Sequence, residues 1–558
     1  MASDKSSNPF EPQTSRYRRV DPDSSKQGGE SRNLLLFLDG TGNTFGSEIS
    51  NVIRLASLSD LDPSKQLVYY QSGIGVDYSA FNLFQRLRQV LDAGVALSLP
   101  THVQDAYKWL MNHWKPGDKV YIFGFSRGAF TGRALAGMLQ QVGLLPQGNE
   151  ESVAMAYSIY ARKADTILVK DSETLAQGFK RTFSRDVYVH FVGVWDTVSS
   201  VGAIIPRSLP FAQGTNYIRN FRQALALDER RARFAEQPYI YDETEPPFVE
   251  QSGSYFALPP DPCSVKELWF AGSHSNVGGG AFDYDGETTP SLSNPSFKWM
   301  LREAVEAGME VDHHALSTNL VFAPFYTSAK RIVSRIESQD TVPGDQNVHE
   351  FINRCKSRNK NVDVLVCAVV FLAAEPNPLN TADALALRQD KLAFDVQASN
   401  TTGIKLSQKL SRFFERVKTR TVVLFWWSLE ISPTLKVVWD LDGNTRRWKI
   451  ACVLPSFPSL VSSRSSSLLL LRRPSLSFLS ALYLTKLTIF PDLSANLGRG
   501  RILPPNPTLH YSVKTRMEGG AGDFSQYGND ENVDEGKSYV PHARFRKGQG
   551  WENVKFAE

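Results

Sequence analysis

A single serine lies in a sequence context that can turn its hydroxyl into a nucleophile. An apolar run, residues 120–123, leads directly into Gly124-Phe125-Ser126-Arg127-Gly128, and a helix-forming segment rich in small residues follows. The order of strand, Gly-x-Ser-x-Gly and helix is typical of the nucleophile elbow, a sharp and strained turn that exposes a serine hydroxyl. Gly124 and Gly128 lack a Cβ atom, so the strand and the helix can approach closely beside Ser126. We therefore predict Ser126 as the nucleophile, with an ordinary turn as the alternative.

A general base and an acid follow this serine along the chain. A serine hydroxyl is a poor nucleophile until a base takes its proton, and that base needs an acid to orient it. Asp196 comes directly after one apolar run, and His274 comes shortly after another. The order Ser126, Asp196, His274 is the order in which α/β-hydrolases carry their catalytic triads. It predicts His274 as the base and Asp196 as the acid.

Other roles for these residues are open at this point. Asp196 precedes hydroxyl-bearing residues and can instead cap a helix or a turn. His274 can be a loop histidine without a catalytic role, in which case His510 is the rival base. His190 lies within an apolar run, and we predict it as a hydrogen-bonded core residue.

The loop from Asp39 to Thr44 is predicted to support the same site. An oxyanion hole of this architecture uses the backbone N–H after the nucleophile and a second one from an earlier strand-to-helix loop. Arg127 would supply the first N–H, and Gly40 or Thr41 the second. A dinucleotide fingerprint fits the loop poorly because its third glycine falls one place late. A phosphotransferase loop also fits poorly, since Phe37 stands where that loop needs a nucleophilic aspartate.

Strands that alternate with helical segments predict an α/β fold, a mostly parallel sheet covered by helices on both faces. Asp39 and the three triad candidates all come just after the ends of apolar runs, and parallel sheets bind ligands at the C-terminal ends of their strands. The predicted strands are Asn33 to Leu38, Gln66 to Gln71, Val187 to Trp195 and Lys266 to Ala271; the predicted helices are Asn51 to Leu61, Thr101 to Trp114 with Thr101 as N-cap, and Ala129 to Leu139; Asn361 to Ala373 is a strand or a buried helix.

Net charge, cysteine spacing and the length of the apolar runs exclude some classes of partner and site. The net charge of +4 is spread over 558 residues without a basic block, which argues against nucleic acid as a partner. The four cysteines (Cys263, Cys355, Cys367 and Cys452) lack metal-ligand spacing and are expected to be reduced thiols of an intracellular protein. We expect no signal peptide and no transmembrane helix, because no apolar run reaches the roughly 18 residues that a spanning helix needs. The expected location is cytoplasmic.

Four motifs in a fixed order resemble one family, and they cover roughly residues 33–310. They are Phe37-Leu38-Asp39-Gly40-Thr41-Gly42-Asn43, Gly124-Phe125-Ser126-Arg127-Gly128-Ala129, Gly193-Val194-Trp195-Asp196-Thr197-Val198 and Trp269-Phe270-Ala271-Gly272-Ser273-His274-Ser275-Asn276-Val277-Gly278-Gly279-Gly280. They resemble the α/β-hydrolase family of the type VI secretion phospholipase effector catalytic domain, widespread as uncharacterised proteins in fungi. The resemblance implies a serine lipase or phospholipase fold with Ser126, Asp196 and His274 as its triad.

One position departs from the family pattern. Asn276 stands where the family usually has Asp. We interpret this residue as loop support, because a side chain two positions after the histidine is poorly placed to orient its ring. If the position held the triad acid, the amide would fix the wrong histidine tautomer and cost about 10⁴ in rate.

Two functions from different classes therefore fit the sequence. The first is a serine hydrolase of lipid or phospholipid esters, which works through an acyl-enzyme and requires no cofactor, although a bound calcium ion is not excluded. Peripheral membrane contact would come from the aromatic segment Thr421 to Ile431, whose alternative is a place in the core. The second is a catalytically weak or inactive binding protein of the same fold.

The chain divides into four predicted parts. Residues 1–32 are a disordered tail, 33–450 form the catalytic domain with cap or accessory segments after about 310, 451–495 are a low-complexity insert, and 496–558 are a C-terminal extension. The insert holds 26 Ser, Leu or Arg residues and no glycine, and neither a helical nor a strand period runs through it. We interpret it as a retained intron, with a genuine membrane-contacting insertion as the alternative.

Overall fold

A sheet of parallel strands is the centre of the computed structural model. The structure describes residues 31–40, 49–73, 93–162, 168–170, 173–198, 209, 214, 217–231, 234–239, 263–280, 290–340, 342–386, 434–439, 446–451, 500–518, 539, 541–545 and 549–557. In chain order its strands are β1 (Asn33–Leu38), β2 (Gln66–Gln71), β3 (Lys119–Phe125), β4 (Leu168–Lys170), β5 (Glu173–Thr174), β6 (Val189–Trp195), β7 (Ile218–Ala226), β8 (Ser264–Phe270), β9 (Thr434–Trp439), β10 (Arg446–Ala451), β11 (Thr508–His510) and β12 (Lys555–Ala557).

The α-helices of the same described residues follow in chain order. They are α1 (Asn51–Ala56), α2 (Ala93–His113), α3 (Ser126–Val142), α4 (Val153–Tyr160), α5 (Leu175–Phe183), α6 (His274–Gly278), α7 (Ser293–Glu306), α8 (His313–Thr318), α9 (Tyr326–Glu337), α10 (Gln346–Arg358), α11 (Val364–Ala374), α12 (Pro378–Leu385) and α13 (Tyr511–Glu518). In this part of the chain, none of the helices combines the length and the apolar character that crossing a membrane requires.

The main sheet has eight strands in the order β12-β11-β8-β7-β6-β3-β1-β2. Every neighbouring pair in it is parallel. Two small antiparallel pairs, β4 with β5 and β9 with β10, lie outside this sheet. The predicted α/β fold with a mostly parallel sheet is confirmed.

Alternate residues of the central strands pack on opposite faces of the sheet. In β1, Leu34, Leu36 and Leu38 belong to a buried cluster that includes α2 and α3. Leu35 and Phe37 belong to a second cluster that includes α7 and α11. Because helices cover both faces, the strand is apolar at every position from Leu34 to Leu38 instead of alternating with polar residues.

Two strand predictions match the structure residue for residue, and several other bounds are corrected. β1 and β2 have the predicted bounds. The helix predicted from Thr101 begins at Ala93, so Thr101 is not its N-cap, and Pro100 lies inside the helix where a proline usually ends one. The segment 361–373, for which the sequence left strand and helix open, is mostly helix: α11 runs from Val364 to Ala374 and is capped by the Asp363 side chain.

β7 is the central strand that the sequence did not predict. Its polar residues interrupt the apolar pattern, yet Arg222 and Gln223 are buried. Arg222 forms a buried ion pair with Glu303 of α7, and Gln223 donates to Glu267 of β8 at 2.7 Å. Buried polar side chains that satisfy one another permit a central strand whose sequence does not look apolar.

The C-terminal residues add two strands to the far edge of the sheet. β11 pairs with β8, and β12 pairs with β11. Residues 31 and 32, assigned to the predicted tail, are held to the domain, because the Arg32 guanidinium binds Asp118 at 2.7 Å. The rest of that tail, nearly all of the predicted insert 451–495, the aromatic segment 421–431 and Cys452 lie outside the described residues. Cys263, Cys355 and Cys367 are free thiols.

Candidate active site

Ser126 lies at the turn where β3 ends and α3 begins. Its backbone φ is 57°, in the left-handed region that residues with a side chain rarely adopt. Phe125 before it is still extended, with φ −124° and ψ 141°, so the chain turns sharply at the serine itself. This backbone geometry is the one that a nucleophile elbow requires.

The two glycines beside the serine fill positions where no side chain fits. A Cβ atom on Gly124 would lie 2.7 Å from the Cα atom of Ala129. A Cβ atom on Gly128 would lie 2.2 Å from the carbonyl oxygen of Leu38 and 2.3 Å from that of Asp39. The close packing of α3 against the strands beside the serine therefore requires glycine at both positions, because a Cβ atom at either one would overlap its neighbours.

Asp196 and His274 are brought together from the ends of two different strands. Asp196 follows β6 with a φ of 44° and is fully buried. Its Oδ2 atom lies 2.5 Å from Nδ1 of His274, and its Oδ1 atom accepts the backbone N–H of Ala226 at 2.9 Å. When Nδ1 donates to a carboxylate, Nε2 is the ring atom that can accept a proton.

The imidazole of His274 is enclosed by aromatic rings. The ring centre of Phe125, the residue before the candidate nucleophile, lies 4.6 Å from that of His274. Phe234 packs edge-on against the same imidazole at 4.8 Å. A further contact links the serine turn to the aspartate turn, since the N–H of Val198 donates to the carbonyl oxygen of Ser126 at 3.4 Å. The structure thus places the Ser126 turn directly beside the Asp196–His274 pair.

Burial and charge set the protonation states of the pair. Burial lowers the pKa of His274 below its ordinary value, although the hydrogen bond with Asp196 acts in the opposite direction. Burial alone would raise the pKa of Asp196, but the charge of Arg501 and the hydrogen bond with His274 hold it well below its usual range. At neutral pH the pair therefore consists of a neutral imidazole and an ionised carboxylate, as a general base and its orienting acid must be.

Arg501 is a site residue that the sequence did not reveal. Its guanidinium donates to both oxygens of Asp196, at 2.5 Å to Oδ1 and 2.9 Å to Oδ2. It also donates to the carbonyl oxygens of Ala226 and Phe234, at 3.0 Å and 2.5 Å. Arg501 lies 305 residues after Asp196, and no local pattern marks it as a partner of the acid. The signal that could have indicated it is the polar segment around Arg501, which follows the low-complexity insert.

Asn276 is engaged in the turn that carries His274. Its Oδ1 atom accepts the backbone N–H of Ser273 at 3.1 Å and the Ser273 hydroxyl at 3.0 Å. The position on Nδ1 of the His274 ring is taken by Asp196. These contacts favour the interpretation of Asn276 as loop support.

His190 and His510, the other two histidines considered in the sequence analysis, lie in different surroundings. Nε2 of His190 lies 2.9 Å from the carbonyl oxygen of Ala307, and burial lowers the pKa of this histidine to about 4. The prediction of a hydrogen-bonded core residue is confirmed. Nδ1 of His510 lies 2.9 Å from the Ser512 hydroxyl, its ring stacks on Phe270, and burial lowers its pKa to about 3. His510 is thus bound within its own edge of the sheet.

Of the three residues predicted to supply oxyanion N–H donors, the structure describes Arg127 and Gly40. Arg127 lies in the first turn of α3, where backbone N–H groups have no partner within the helix. The N–H of Gly40 donates to Oδ1 of its neighbour Asp39 at 2.7 Å, so it is engaged in this structure. The hydroxyl of Tyr70 holds Oδ2 of the same aspartate at 3.1 Å. Thr41, the other candidate, lies outside the described residues.

The described residues contain no candidate metal site. Among the residues described by the structure, no group of three His, Cys, Asp or Glu side chains could hold a metal ion.

Comparisons with known proteins point to one family. Residues 32–303 match the family model described as the T6SS phospholipase effector Tle1-like catalytic domain. This stretch includes Ser126, Asp196 and His274 but ends before Arg501. A curated relative, uncharacterized protein YEL023C of Saccharomyces cerevisiae, is 31% identical over 56% of this chain. The chain spans about 61% of the length of that relative.

Two solved structures are also similar. One is a crystal structure of an uncharacterized protein from Pseudomonas aeruginosa, with 17% identity, a TM-score of 0.31, and coverage of 71% of this chain and 60% of that one. The other is the Tle1 effector bound to the VgrG spike of the type VI secretion system, with 19% identity, a TM-score of 0.25, and coverage of 45% and 51%.

Proposed function

We propose that the protein, whose residues 32–303 match the family model of the T6SS phospholipase effector Tle1-like catalytic domain, is a serine hydrolase of lipid or phospholipid esters. One observation carries the proposal. A serine with a left-handed backbone directly follows Phe125, whose ring packs against a buried histidine, and the Nδ1 atom of that histidine is bound to an ionised aspartate. A serine, a base and an orienting acid in this arrangement are what acyl transfer needs.

The reaction follows from the roles of these groups. The Ser126 hydroxyl oxygen attacks the ester carbonyl carbon while Nε2 of His274 takes the hydroxyl proton. The backbone N–H of Arg127 stabilises the negative oxygen of the tetrahedral intermediate, and the second donor would be Thr41, or Gly40 once its N–H has left Asp39. The intermediate collapses to an acyl-serine, and His274 gives its proton to the leaving alcohol. Water then attacks the acyl-serine with His274 again as the base, and the fatty acid leaves.

Asp196 contributes by orientation and by charge. Its Oδ2 atom holds the imidazole in the tautomer that presents Nε2 to the serine. It also stabilises the imidazolium that forms in each step without taking the proton itself. The low pKa of Asp196 supports this role, because the carboxylate stays ionised throughout.

The substrate class rests on the family and is tested with lipids. We expect purified protein to release fatty acid from mixed vesicles of phosphatidylcholine and phosphatidylglycerol or from a triacylglycerol emulsion. Ser126→Ala should abolish release and keep the fold, since it removes one hydroxyl oxygen. Ser338→Ala serves as the control, because that hydroxyl caps the end of α9 away from the site, 3.0 Å from the carbonyl oxygen of Ser334.

The result separates an enzyme from a binding protein of the same fold. Release that depends on Ser126 supports the hydrolase. Binding to vesicles without release, unchanged in Ser126→Ala, would favour a binding protein. Release from one lipid class only would identify that class as the substrate.

A further inference from the structure

The positive charge beside Asp196, the candidate acid, belongs to Arg501 in the C-terminal part of the chain. Arg501 binds both oxygens of Asp196 in the fork geometry that an arginine and a carboxylate prefer. Both side chains are buried. A buried pair of this kind is strongly destabilised by the loss of one partner, because the other charge stays behind without compensation.

The position of Arg501 is fixed by its own backbone. The N–H of Arg544 donates to the carbonyl oxygen of Arg501 at 2.8 Å, and the N–H of Leu503 donates to that of Arg544 at 2.9 Å. A Cβ atom on Gly500 would lie 1.8 Å from the carbonyl oxygen of His542, so the two stretches are in close contact. Residues 500–503 and 541–545 therefore form a short paired unit, and this unit holds Arg501 in place.

The same unit holds the turn that carries His274. Asp228, which follows β7, accepts the backbone N–H of Gly272 at 2.7 Å with its Oδ2 atom. The hydroxyl of Tyr539 donates to this Oδ2 atom at 2.6 Å, and the N–H of His542 donates to Oδ1 at 2.9 Å. One buried carboxylate thus joins the C-terminal residues to the backbone two positions before the histidine.

We infer that residues 500–503, Tyr539 and residues 541–545 complete the catalytic site, and that Arg501 is a positioning residue which fixes the Asp196 carboxylate and, through it, the His274 ring. This inference rests on the proposed function. It goes beyond the family match, which ends at residue 303. Arg501 acts in two ways. Its fork sets the orientation of the carboxylate plane, and its charge offsets part of the negative charge of Asp196. Arg231 and Glu229 also act on the imidazole, and substitutions at position 501 leave both in place.

Two substitutions separate these effects. Arg501→Gln removes the charge and the fork, so Asp196 acts on His274 with its full negative charge and the pKa of the imidazole rises. The carboxylate also loses its fixed orientation, and a misplacement of about 1 Å can cost 100-fold in rate. Arg501→Lys keeps the charge without the planar fork, so the rate recovers only in part while the pKa of His274 stays close to that of the wild type.

A matched control comes from an ion pair elsewhere in the molecule. Arg335 of α9 binds both oxygens of Asp345 at 2.7 Å, in the same fork geometry. Arg335→Gln therefore breaks an arginine–carboxylate pair without touching the site. It should leave kcat/KM and its pH profile unchanged.

The experiment uses the full chain with three readouts. These are kcat/KM for a soluble ester as a function of pH, the rate of fluorophosphonate labelling, and the NMR titration of the ¹³C-labelled His274 ring, which His274→Asn identifies. We expect Arg501→Gln to lose about 100-fold in kcat/KM and to move both the acid limb and the His274 titration to higher pH. Arg501→Lys should restore the titration and part of the rate. Circular dichroism checks that each variant folds.

Other outcomes would overturn either the positioning role of Arg501 or the proposed function. Rates and titrations like the wild type in both Arg501 variants would overturn the positioning role. So would a loss of rate in Arg501→Gln that is in proportion to the unfolded protein and comes without a shift of the acid limb. If the wild type neither turns over nor labels, the proposed function fails. The His274 titration then still shows whether Arg501 acts on the Asp196–His274 pair.

Discussion

The carboxylate of Asp196 is shared between two partners, the imidazole of His274 and the guanidinium of Arg501. His274 binds one oxygen, while Arg501 binds both. The arginine keeps the acid ionised in a buried place where a carboxyl group alone would tend to hold its proton. It also weakens the pull of the carboxylate on the imidazolium. Burial lowers the pKa of His274, so the base is weaker than an exposed histidine, but it is neutral and ready to accept a proton at physiological pH.

The first prediction at the residue scale concerns the acid. Asp196→Asn should lower kcat for a soluble ester by about 10⁴, because the amide fixes the wrong histidine tautomer. Asp345→Asn is the control, since it weakens a similar arginine–carboxylate pair away from the site. A near-normal rate in Asp196→Asn would show that the acid is elsewhere.

The second prediction concerns the residue that departs from the family pattern. Asn276→Asp should change kcat/KM by less than about tenfold, because this side chain binds the Ser273 backbone and hydroxyl in the turn. The comparison is made on the same soluble ester as for the wild type. A rise of several orders of magnitude would mean that position 276, and not Asp196, holds the acid.

The third prediction concerns pH. The lowered pKa of His274 lies below the ordinary 6.5, so the neutral base is present above that pH and is lost as pH falls through the lowered value. We expect the acid-side midpoint of kcat/KM to lie below pH 6.5. A profile with a soluble ester measures it, and a midpoint above pH 6.5 would contradict the account of burial.

At the scale of single elements, the elbow depends on a contact between α3 and the end of β1. Gly128→Ala would place a Cβ atom 2.2 Å from a β1 carbonyl oxygen, and backbone cannot move aside as a flexible side chain can. We expect a loss of about 1–3 kcal/mol in the free energy of unfolding, together with loss of ester hydrolysis. Thermal unfolding and a soluble ester assay measure the two effects.

A glycine with free space around it provides the control for this change. A Cβ atom on Gly344 would meet nothing within 4 Å. Gly344→Ala should therefore leave stability and hydrolysis close to those of the wild type. If Gly128→Ala behaves in the same way, the close approach at the elbow is not what holds the serine in place.

The sequence predicts the elements whose signal is local. β1 and β2 are short apolar runs, and the elbow is a contiguous motif, so both can be located without tertiary information. β7 was missed because its charged residues are neutralised only by partners on other elements, as with Arg222 and Glu303. Arg501 was missed for the same reason, since its partner is 305 residues away in the chain. Long-range charge compensation leaves no periodic pattern in a sequence.

At the scale of the whole molecule, the sheet extends beyond the part that matches the family. β11 and β12 come from residues after 500, and Arg501 comes from the stretch before them. The domain boundaries predicted from the sequence stay a prediction. They divide the chain into a tail, a catalytic domain, an insert and an extension. The described strands of the extension, β11 and β12, are part of the same sheet as β8.

The last prediction separates the insert from the extension. Deleting residues 451–495 should leave stability and hydrolysis unchanged or improved, and most transcripts should lack the segment, as expected of a retained intron. Deleting residues 500–558 should abolish hydrolysis, because it removes Arg501 and the β11–β12 edge. A dominant transcript that contains the insert, with a protein that unfolds without it, would refute the intron hypothesis.

The central claim is that Ser126 is a nucleophile activated by His274, and fluorophosphonate labelling tests it most directly. The reagent reacts with an activated serine, and peptide mass spectrometry identifies the modified residue. We predict one phosphonylated site, at Ser126, with labelling that falls by orders of magnitude in His274→Ala. Labelling absent from the folded wild type, located on another serine, or unchanged in His274→Ala would contradict the claim.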